Sequence, residues 1–523
     1  MDFVFIANSW SAGKDNPTSK HRIAMELVRR GHKVLWIEGS GMRTPSIGSS
    51  HDRMRSIRKV AAAFRGARRE TVVGCQVAGG AGKKELLSCS VARLSGESPA
   101  SRGELLSCQV AQLLSESPEG SLPSSTQQPN NSTTHKQPLP SATQQPDNST
   151  TGPRVSGATQ QPNNSTTPLW VLSPLFIPLP RYEFIRRLNG LICRWCMRFL
   201  GWRLGFRDPV LINYVPVLAE AMRGWRRFPP QLSRCQVAEV HKEKTVPKNS
   251  TTEQPDNPAI APRPLLIVYH CVDRWDAFTT YDSVMMGEMD RRCCRYADLV
   301  IASAGELYDR CRAINPHTVL IPHGVDWEHF RGAITAGESS SAGGQAGDHS
   351  VSTIGFFGLI SEWVDQELLL RLAREFPRAK LLLVGKADVA VTRLQSQPNI
   401  QFAGPKPFSD LPAQTARFTV GIIPFVVNDL TRSVNPIKLR EMLSAGCPVV
   451  STALPEVARY VGRPEFSKSV QVAQNHDEFV AIVRRILEKP LTSAERRAVS
   501  DSMAGETWVA KVDELLGLLD GRG

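Results

Sequence analysis

The sequence lacks the features that place a chain across a membrane or in an oxidising compartment. No apolar run reaches the roughly 18 residues that a membrane-spanning helix requires. The short apolar run at residues 3–7 follows no basic segment, so we expect no signal peptide. The 11 cysteines are scattered, and Cys193 and Cys196 have no second pair with which to complete a zinc site. These absences favour a reducing cytoplasm as the location of the protein.

The chain also lacks an Asp-x-Asp pair that would hold a divalent metal, so we expect no required metal ion or other cofactor. What it has in excess is positive charge, with a net charge of +13 over 523 residues. Its length and its 41% of hydrophobic residues suffice for two or three domains with real cores. The positive charge suits phosphate groups, an anionic membrane surface or nucleic acid.

Two stretches, at about 71–167 and 231–262, differ sharply in composition from the rest. Thr-Gln-Gln-Pro-Asn-Asn-Ser-Thr-Thr begins at Thr126 and again at Thr159, and Asn-Ser-Thr-Thr returns at Asn249. These repeats are too polar and too rich in proline to bury a core, which predicts disordered insertions in two surface loops. Without them roughly 400 residues remain, a size that suits two α/β domains.

Residues 419–452 carry the most informative pattern, which reads as strand, polar loop, helix and strand. The run at 420–425 is apolar throughout, as expected for a strand buried on both faces of a parallel sheet. Asn435 is predicted to cap the helix, Pro436 to occupy its first position and Gly446 to end it.

This helix has two charged residues, Lys438 and Glu441, away from its apolar stripe. Lys438 lies in the first turn, where the helix dipole disfavours a cation unless an anion binds there. Glu441, one turn further on, can accept hydrogen bonds from a sugar diol. Phosphate at the helix end and ribose one turn along describe a nucleoside diphosphate. The alternative is a surface Lys–Glu pair on an ordinary helix.

The string Asn-Pro-Ile-Lys-Leu-Arg-Glu-Met-Leu-Ser-Ala-Gly-Cys-Pro-Val-Val, at 435–450, resembles the donor-site segment of GT-B glycosyltransferases of family four, also called group 1. It is most similar to the branch that includes teichuronic-acid-type enzymes. The resemblance implies that Glu441 binds the nucleotide ribose, and that Lys438 and Asn435 hold the diphosphate at the helix end. The family often has a further Glu eight residues earlier, which usually contacts the donor sugar, and here that position is Ser433.

Two more donor-binding residues follow from the same resemblance. Gly358 ends the first strand of the second domain and permits close approach of a ligand to the backbone. Many relatives carry Arg or Lys just after this strand, where this chain has Ser361 and Glu362. We therefore expect Lys438 and Arg432 to supply the positive charge.

The N-terminal residues predict a βαβ unit, with strands at 3–7 and 34–38 around a helix at 19–30. Gly13 and Lys14, in the loop before the helix, do not form a P-loop, because its first Gly is absent and Asp15 replaces the Ser or Thr. In the resembled family this loop faces the cleft between the domains, which makes both residues candidates for donor binding. The alternative is an ordinary loop.

Residues 265–275 form a second informative stretch, because a buried strand ends in the polar residues His270 and Asp273. In open α/β sheets ligands bind beyond the carboxyl ends of the strands. Either side chain can act as a base for an acceptor hydroxyl or stabilise charge, although a single His at a strand end also suits a structural role. The segment resembles the acceptor side of the family, which favours Asp273. Family four implies retention of the anomeric configuration, in which case Asp273 need not be a full base.

Residues 181–207 predict a basic amphipathic helix that contains Trp195, Phe199 and Trp202. Its arginines and aromatic residues suit peripheral contact with an anionic bilayer. The alternative is a solvated helix whose aromatic side chains pack inward.

Together these patterns predict an α/β protein of GT-B type with two facing Rossmann-like domains and parallel sheets. The expected boundaries are 1–331 for the acceptor-side domain, 332–350 for a linker, 351–490 for the nucleotide-sugar domain, and 491–523 for a helix that crosses back. The resemblance implies a glycosyltransferase that moves a sugar from a UDP- or GDP-linked donor to a polysaccharide or lipid-linked acceptor. Open alternatives are a nucleotide-sugar epimerase on the same fold, a basic nucleic-acid binder and a non-catalytic interaction protein that displays the repeats.

Overall fold

Two sheets of mainly parallel strands organise the chain, as seen in a computed structural model. The structure describes residues 1–10, 16–39, 67–71, 92–93, 167–223, 266–342 and 351–521. Nearly all of the two predicted repeat insertions lies outside these residues. The exceptions include the pair Ala92–Arg93, which forms a short strand where disorder was predicted.

Among the described residues the first sheet has nine strands, most of which are short segments rich in Val, Ile and Leu with mainly buried side chains. They are β1 (Asp2–Ala7), β2 (Lys33–Glu38), β3 (Arg68–Thr71), β4 (Ala92–Arg93), β5 (Leu169–Leu172), β6 (Val210–Asn213), β7 (Ile267–Cys271), β8 (Leu299–Ala302) and β9 (Thr318–Leu320). Their order in the sheet is β4-β3-β5-β2-β1-β6-β7-β8-β9. The strands are parallel except β3, which runs antiparallel to β4 and β5.

Helices connect the parallel strands of this sheet. They are α1 (Ser19–Arg29), α2 (Glu183–Arg203), α3 (Ala219–Met222), α4 (Ser283–Tyr296) and α5 (Gly305–Arg312). Residues Ile23, Ala24, Leu27 and Val28 of α1 are buried, because their helical spacing places them on the face toward the sheet.

The second sheet has six strands, all parallel. They are β10 (Thr353–Phe357), β11 (Lys380–Val384), β12 (Ile400–Gly404), β13 (Val420–Ile423), β14 (Val449–Thr452) and β15 (Val470–Ala473). Their order, β12-β11-β10-β13-β14-β15, reverses direction between β10 and β13. This is the doubly wound Rossmann order, in which ligands bind outside the carboxyl ends of the strands at the reversal. The first sheet reverses in the same way between β1 and β6, so the predicted fold is confirmed.

The helices of the second half flank its sheet, and the last one returns to the first domain. They are α6 (Trp327–Ala342), α7 (Gln366–Glu375), α8 (Thr392–Gln395), α9 (Leu411–Thr415), α10 (Asp429–Arg432), α11 (Ile437–Ser444), α12 (Pro455–Val461), α13 (His476–Glu488), α14 (Ser493–Asp501) and α15 (Trp508–Leu519). Trp508, Val512 and Leu515 of α15 belong to the first domain's core, and Asp513 receives a hydrogen bond from Arg30 at 2.5 Å.

The prediction of a linker at 332–350 is wrong for its first part, because α6 extends through residues 332–342. Phe330, Ala333 and Ile334 are buried at helical spacing, and this apolar face holds the start of the segment against the second domain. Residues 343–350 lie outside the described part of the chain.

Candidate functional site

The helix α11 is built as its sequence predicts and lies at the reversal of the second sheet. Leu439, Met442 and Leu443 are fully buried. Gly446 ends the helix with a φ of +66°, and a Cβ there would lie 2.5 Å from the carbonyl oxygen of Arg496. Only glycine therefore fits this end of the helix. The opposite end, near Lys438, lies at the carboxyl edge of the sheet.

Asn435 does not cap α11, which corrects the sequence prediction. The residue before the helix is Pro436, which has an extended backbone. The Asn435 side chain is buried, with its Nδ2 2.6 Å from the carbonyl oxygen of Ser303 in the first domain and its Oδ1 2.5 Å from Nη1 of Arg440. The residue thus ties α11 to the end of β8. Within the described part of the chain, the first-turn amides of Ile437 and Lys438 donate to no acceptor.

Lys438 extends across the carboxyl ends of β10 and β13. Its Nζ lies 4.5 Å from the ring centre of Phe356 and 4.6 Å from that of Phe425. Gly358 has a φ of +130°, and a Cβ at this position would approach the Lys438 Nζ to 2.8 Å. Glycine is thus required by the backbone conformation at this position. Burial lowers the pKa of Lys438 to about 8, and the nearby Glu441 opposes this change.

Glu441 is the carboxylate nearest to this ammonium. Burial raises its pKa to about 7, while Arg22 and Lys438 act to lower it. Arg22 belongs to α1 in the first domain, so the charge at Glu441 depends on both domains. The structure therefore brings together Gly358, Lys438 and Glu441 among the predicted donor-binding residues.

Arg432 and Ser433 lie elsewhere, at a contact between the domains. Arg432 Nε donates to Glu306 Oε1 at 2.9 Å, and Ser433 Oγ donates to Glu306 Oε2 at 3.2 Å. Glu306 belongs to α5, so the charge of Arg432 is paired across the cleft instead of facing the Lys438 ammonium. Gly13 and Lys14 lie outside the described residues.

His270 is the last but one residue of β7 and Asp273 follows the strand, and burial shifts their pKa values in opposite directions. Burial lowers the pKa of His270 to about 3, and its Nδ1 lies 3.1 Å from the hydroxyl of Tyr214. The ring is therefore neutral at physiological pH. Burial raises the pKa of Asp273 to about 6, against the effect of Lys20 on α1. Asp273 is thus mostly ionised at neutral pH and is the stronger candidate for a base.

Sequence reasoning missed Lys20 and Arg22, which come from the first turn of α1. Lys20 is 8% exposed, and Arg22 donates to Asp326 at 3.0 Å. Two cations in the first turn of a helix oppose its dipole. A cation in the first helical turn was the signal that identified Lys438, and the same signal could have identified α1 as part of a ligand site.

The two domains are in contact along one edge of the cleft. The amide of Gly305 donates to Glu456 at 2.7 Å, and Thr279 donates to Glu362 at 2.7 Å. Arg274 forms an ion pair with Asp429 at 3.1 Å. These contacts fix the distance between the residues after β7 and those around α11.

The helix α2 presents a different kind of surface. Phe184, Leu188, Leu191, Trp195, Phe199 and Trp202 recur every three or four residues, and all are exposed, from 40% at Leu188 to 77% at Trp202. The alternative in which the aromatic residues pack inward is therefore wrong. The buried face instead includes Ile185, Cys193 and Met197. Arg186 and Arg194 also turn inward, toward backbone carbonyls.

No described helix is long and apolar enough to cross a bilayer. Among the residues that the structure describes, no group of three or more His, Cys, Asp or Glu side chains is arranged to hold a metal ion.

The described residues thus contain two doubly wound domains, with an ammonium and a carboxylate at the sheet reversal of the second. Residues 352–489 match the family described as glycosyl transferases group 1, so the second domain is a domain of that group. The predicted family resemblance is thereby confirmed.

Among curated proteins, the chain is similar to TuaH of Bacillus subtilis strain 168, which is named as a teichuronic acid biosynthesis glycosyltransferase. The identity is 26% over 237 residues, covering 42% of this chain and 58% of TuaH, so the match spans little more than half of that relative. Among solved structures, HepE from Anabaena in complex with UDP aligns with a TM-score of 0.49 and 12% identity over 99% of this chain and 100% of that one. Sucrose-phosphate synthase from Thermosynechococcus elongatus aligns with a TM-score of 0.46 and 16% identity over 67% and 83% of the two chains.

Proposed function

We propose that the protein transfers a sugar from a UDP- or GDP-linked donor to an acceptor hydroxyl in the synthesis of a cell-surface polysaccharide or glycolipid. The observation that carries the proposal is the convergence of Gly358, Lys438 and Glu441 at the reversal of the second sheet. The group 1 family match of this domain and the name of the relative TuaH support the same reaction class.

In this reaction the bond between the anomeric carbon and the diphosphate breaks, and negative charge grows on the leaving diphosphate. Lys438 and the free amides at the start of α11 lie where they would stabilise that charge. Glu441 would accept hydrogen bonds from the ribose. No metal ion is part of the proposal, because the ammonium and the helix end supply the positive field.

Asp273 would act from the opposite side of the cleft, on the acceptor. Its carboxylate would accept the proton of the acceptor hydroxyl, or stabilise positive charge at the sugar if the anomeric configuration is retained. His270 stays neutral and has one ring nitrogen, Nε2, without a partner among the described residues. It would accordingly orient the acceptor by a hydrogen bond.

Binding of the donor is testable by thermal unfolding in the presence of UDP- and GDP-sugars. A ligand at about 100 times its Kd stabilises a protein by about 2.7 kcal/mol. The Glu441→Ala variant should lose this stabilisation, while Glu488→Ala, on an exposed residue of α13, should keep it. If no nucleotide sugar stabilises the wild-type protein, the proposed function is wrong.

Two further assays separate the rival activities. An epimerase would convert the donor sugar in the absence of any acceptor, which analysis of the products with donor alone would detect. A nucleic-acid binder would bind duplex DNA with a steep dependence on salt.

The exposed face of α2 supports peripheral contact with an anionic membrane, and with it a lipid-linked acceptor. The six exposed apolar residues form one stripe along the helix, and Arg187, Arg198 and Arg203 are exposed on the same element. A helix of this kind lies in the bilayer interface, with aromatic side chains inserted and arginines near the headgroups. The protein would then work on the cytoplasmic face of the membrane.

Flotation with lipid vesicles tests this contact. The protein should float with vesicles that contain phosphatidylglycerol, and bind those of phosphatidylcholine alone more weakly. The double variant Trp195→Glu, Trp202→Glu should remain at the bottom of the gradient with an unchanged melting temperature. Val461→Glu, at an exposed apolar residue of the second domain, is the matched control and should float. Flotation of the double variant would contradict the membrane contact.

A further inference from the structure

Arg22 extends from the first domain toward the proposed nucleotide site of the second. Its side chain is 12% exposed, and Nη1 donates to Asp326, just before α6, at 3.0 Å. Its guanidinium carbon lies 4.3 Å from the ring centre of Phe408, in the loop after β12. Three separate segments therefore meet at this one side chain.

The ring beneath the guanidinium is itself held in place. His329 of α6 also stacks on Phe408, with ring centres 4.5 Å apart and an interplanar angle of 17°. The same His329 contacts the Phe408 carbonyl oxygen through Nε2 at 3.0 Å. Arg22 and His329 thus both pack against the Phe408 ring, which leaves the guanidinium little freedom to move.

One nitrogen of this guanidinium has no partner. Arg22 Nη2 is buried and donates to no acceptor among the described residues. A buried N–H group without an acceptor is unfavourable, and a guanidinium keeps its charge under all ordinary conditions. The arrangement therefore calls for an acceptor oxygen that the described residues do not supply.

Glu441 is a carboxylate of the second domain that the Arg22 charge reaches. Each group lies close enough to change the proton affinity of the other. A hydroxyl placed between them would donate to the carboxylate and accept from the guanidinium, which satisfies both groups. A ribose has two adjacent hydroxyls suited to this position.

We infer that Arg22 is a donor-binding residue, contributed by the first domain, which holds the nucleotide ribose together with Glu441. This inference rests on the proposed function. It means that the nucleotide site is complete only when the two domains are together.

The test is the affinity for UDP and for its deoxy forms, measured by titration calorimetry, or for GDP and its deoxy forms if the sugar panel selects guanine. In the wild-type protein UDP should bind at least tenfold more tightly than 2′-deoxy-UDP or 3′-deoxy-UDP. The Arg22→Gln variant should bind UDP about tenfold more weakly, equivalent to about 1.4 kcal/mol. It should also lose most of its preference for UDP over the deoxy form that Arg22 contacts. Arg22→Lys should recover part of the affinity, because its charge remains.

Two controls separate binding from structure. Arg29→Gln, on the same helix but 57% exposed, should bind UDP like the wild type. Asp326→Asn removes the ion pair and keeps the guanidinium, so it should retain the preference for UDP over the deoxy forms. If Arg22→Gln keeps the full preference, or binds UDP as the wild type does, the inference is wrong. If the wild-type protein binds neither nucleotide, the proposed function fails first.

Discussion

Replacing Lys438 by methionine is expected to stabilise the unliganded protein and to abolish its response to nucleotide. Burial lowers the pKa of this lysine from 10.5 to about 8. Each pH unit of such a change corresponds to about 1.4 kcal/mol, so the buried ammonium costs the folded protein about 3 kcal/mol at neutral pH. The variant also loses the contacts of the ammonium with the rings of Phe356 and Phe425, which offsets part of the gain in stability. The expected net gain is about 1–3 kcal/mol.

The effect of Lys438→Met on the free energy of unfolding should depend on pH. Because the pKa is lower in the folded state than in the unfolded one, the cost is complete below about pH 8. It disappears as the pH rises through 10.5, where both states have lost the proton. The difference in free energy of unfolding between Lys438→Met and wild type should therefore be largest at pH 7 and shrink toward pH 10.5.

Urea unfolding at the two pH values, with and without UDP, measures both effects. Lys489→Met, at an exposed lysine of the same domain, is the matched control and should change the free energy of unfolding by less than about 0.5 kcal/mol. The reasoning is refuted if Lys438→Met is destabilised at pH 7, or if its effect is the same at both pH values. A variant that is stabilised but still binds UDP would show that Lys438 does not hold the diphosphate.

Four other predictions concern the site. The rate of sugar transfer should fall as the pH drops through about 6, where Asp273 gains its proton, and Asp273→Asn should remove most of the activity. Lys20→Met should shift this fall in rate to higher pH, because the Lys20 charge lowers the Asp273 pKa. If the fall stays at the same pH, a group other than Asp273 causes it. Treatment with EDTA should leave nucleotide-sugar binding intact, and a loss that Mg²⁺ restores would show that the site needs a metal ion. Asn435→Ala should destabilise the unliganded protein by about 1–3 kcal/mol, since it leaves buried partners unpaired. Loss of UDP affinity without loss of stability would instead give Asn435 the phosphate-binding role predicted from the sequence.

Short-range patterns predicted much of the fold and the centre of the site. The apolar stripe of α11 and the left-handed Gly446 fix that helix within one segment of chain. Gly358 and Lys438 are 80 residues apart, yet their proximity follows from topology, because the ends of β10 and β13 share one edge of a parallel sheet. Patterns of this kind depend on neighbouring residues or on the general order of a doubly wound sheet.

The errors arose where a partner comes from the other domain. Asn435 has the sequence context of a helix cap, but its amide binds the carbonyl of Ser303, which lies 132 residues earlier. Arg432, which stays a predicted donor-binding residue, likewise pairs with a distant residue, Glu306, 126 residues earlier. Nothing in the local sequence specifies such a partner. The linker prediction for residues 332–342 was wrong for a different reason. Their small side chains suggested a flexible segment, but they continue a helix whose apolar face begins at Trp327.

The first turns of α1 and α11 share a feature that connects the two halves of the site. Each carries lysine or arginine where the helix dipole already provides positive charge, and in each the charged group is largely buried. The Lys438 ammonium makes the apo protein less stable, so its position makes physical sense if an anion binds beside it. A helix that opens with a cation, in the connection that follows a strand of a doubly wound sheet, is therefore a signal that can be read from sequence. Applied to both domains, it predicts a ligand that lies between α1 and α11 and contacts both.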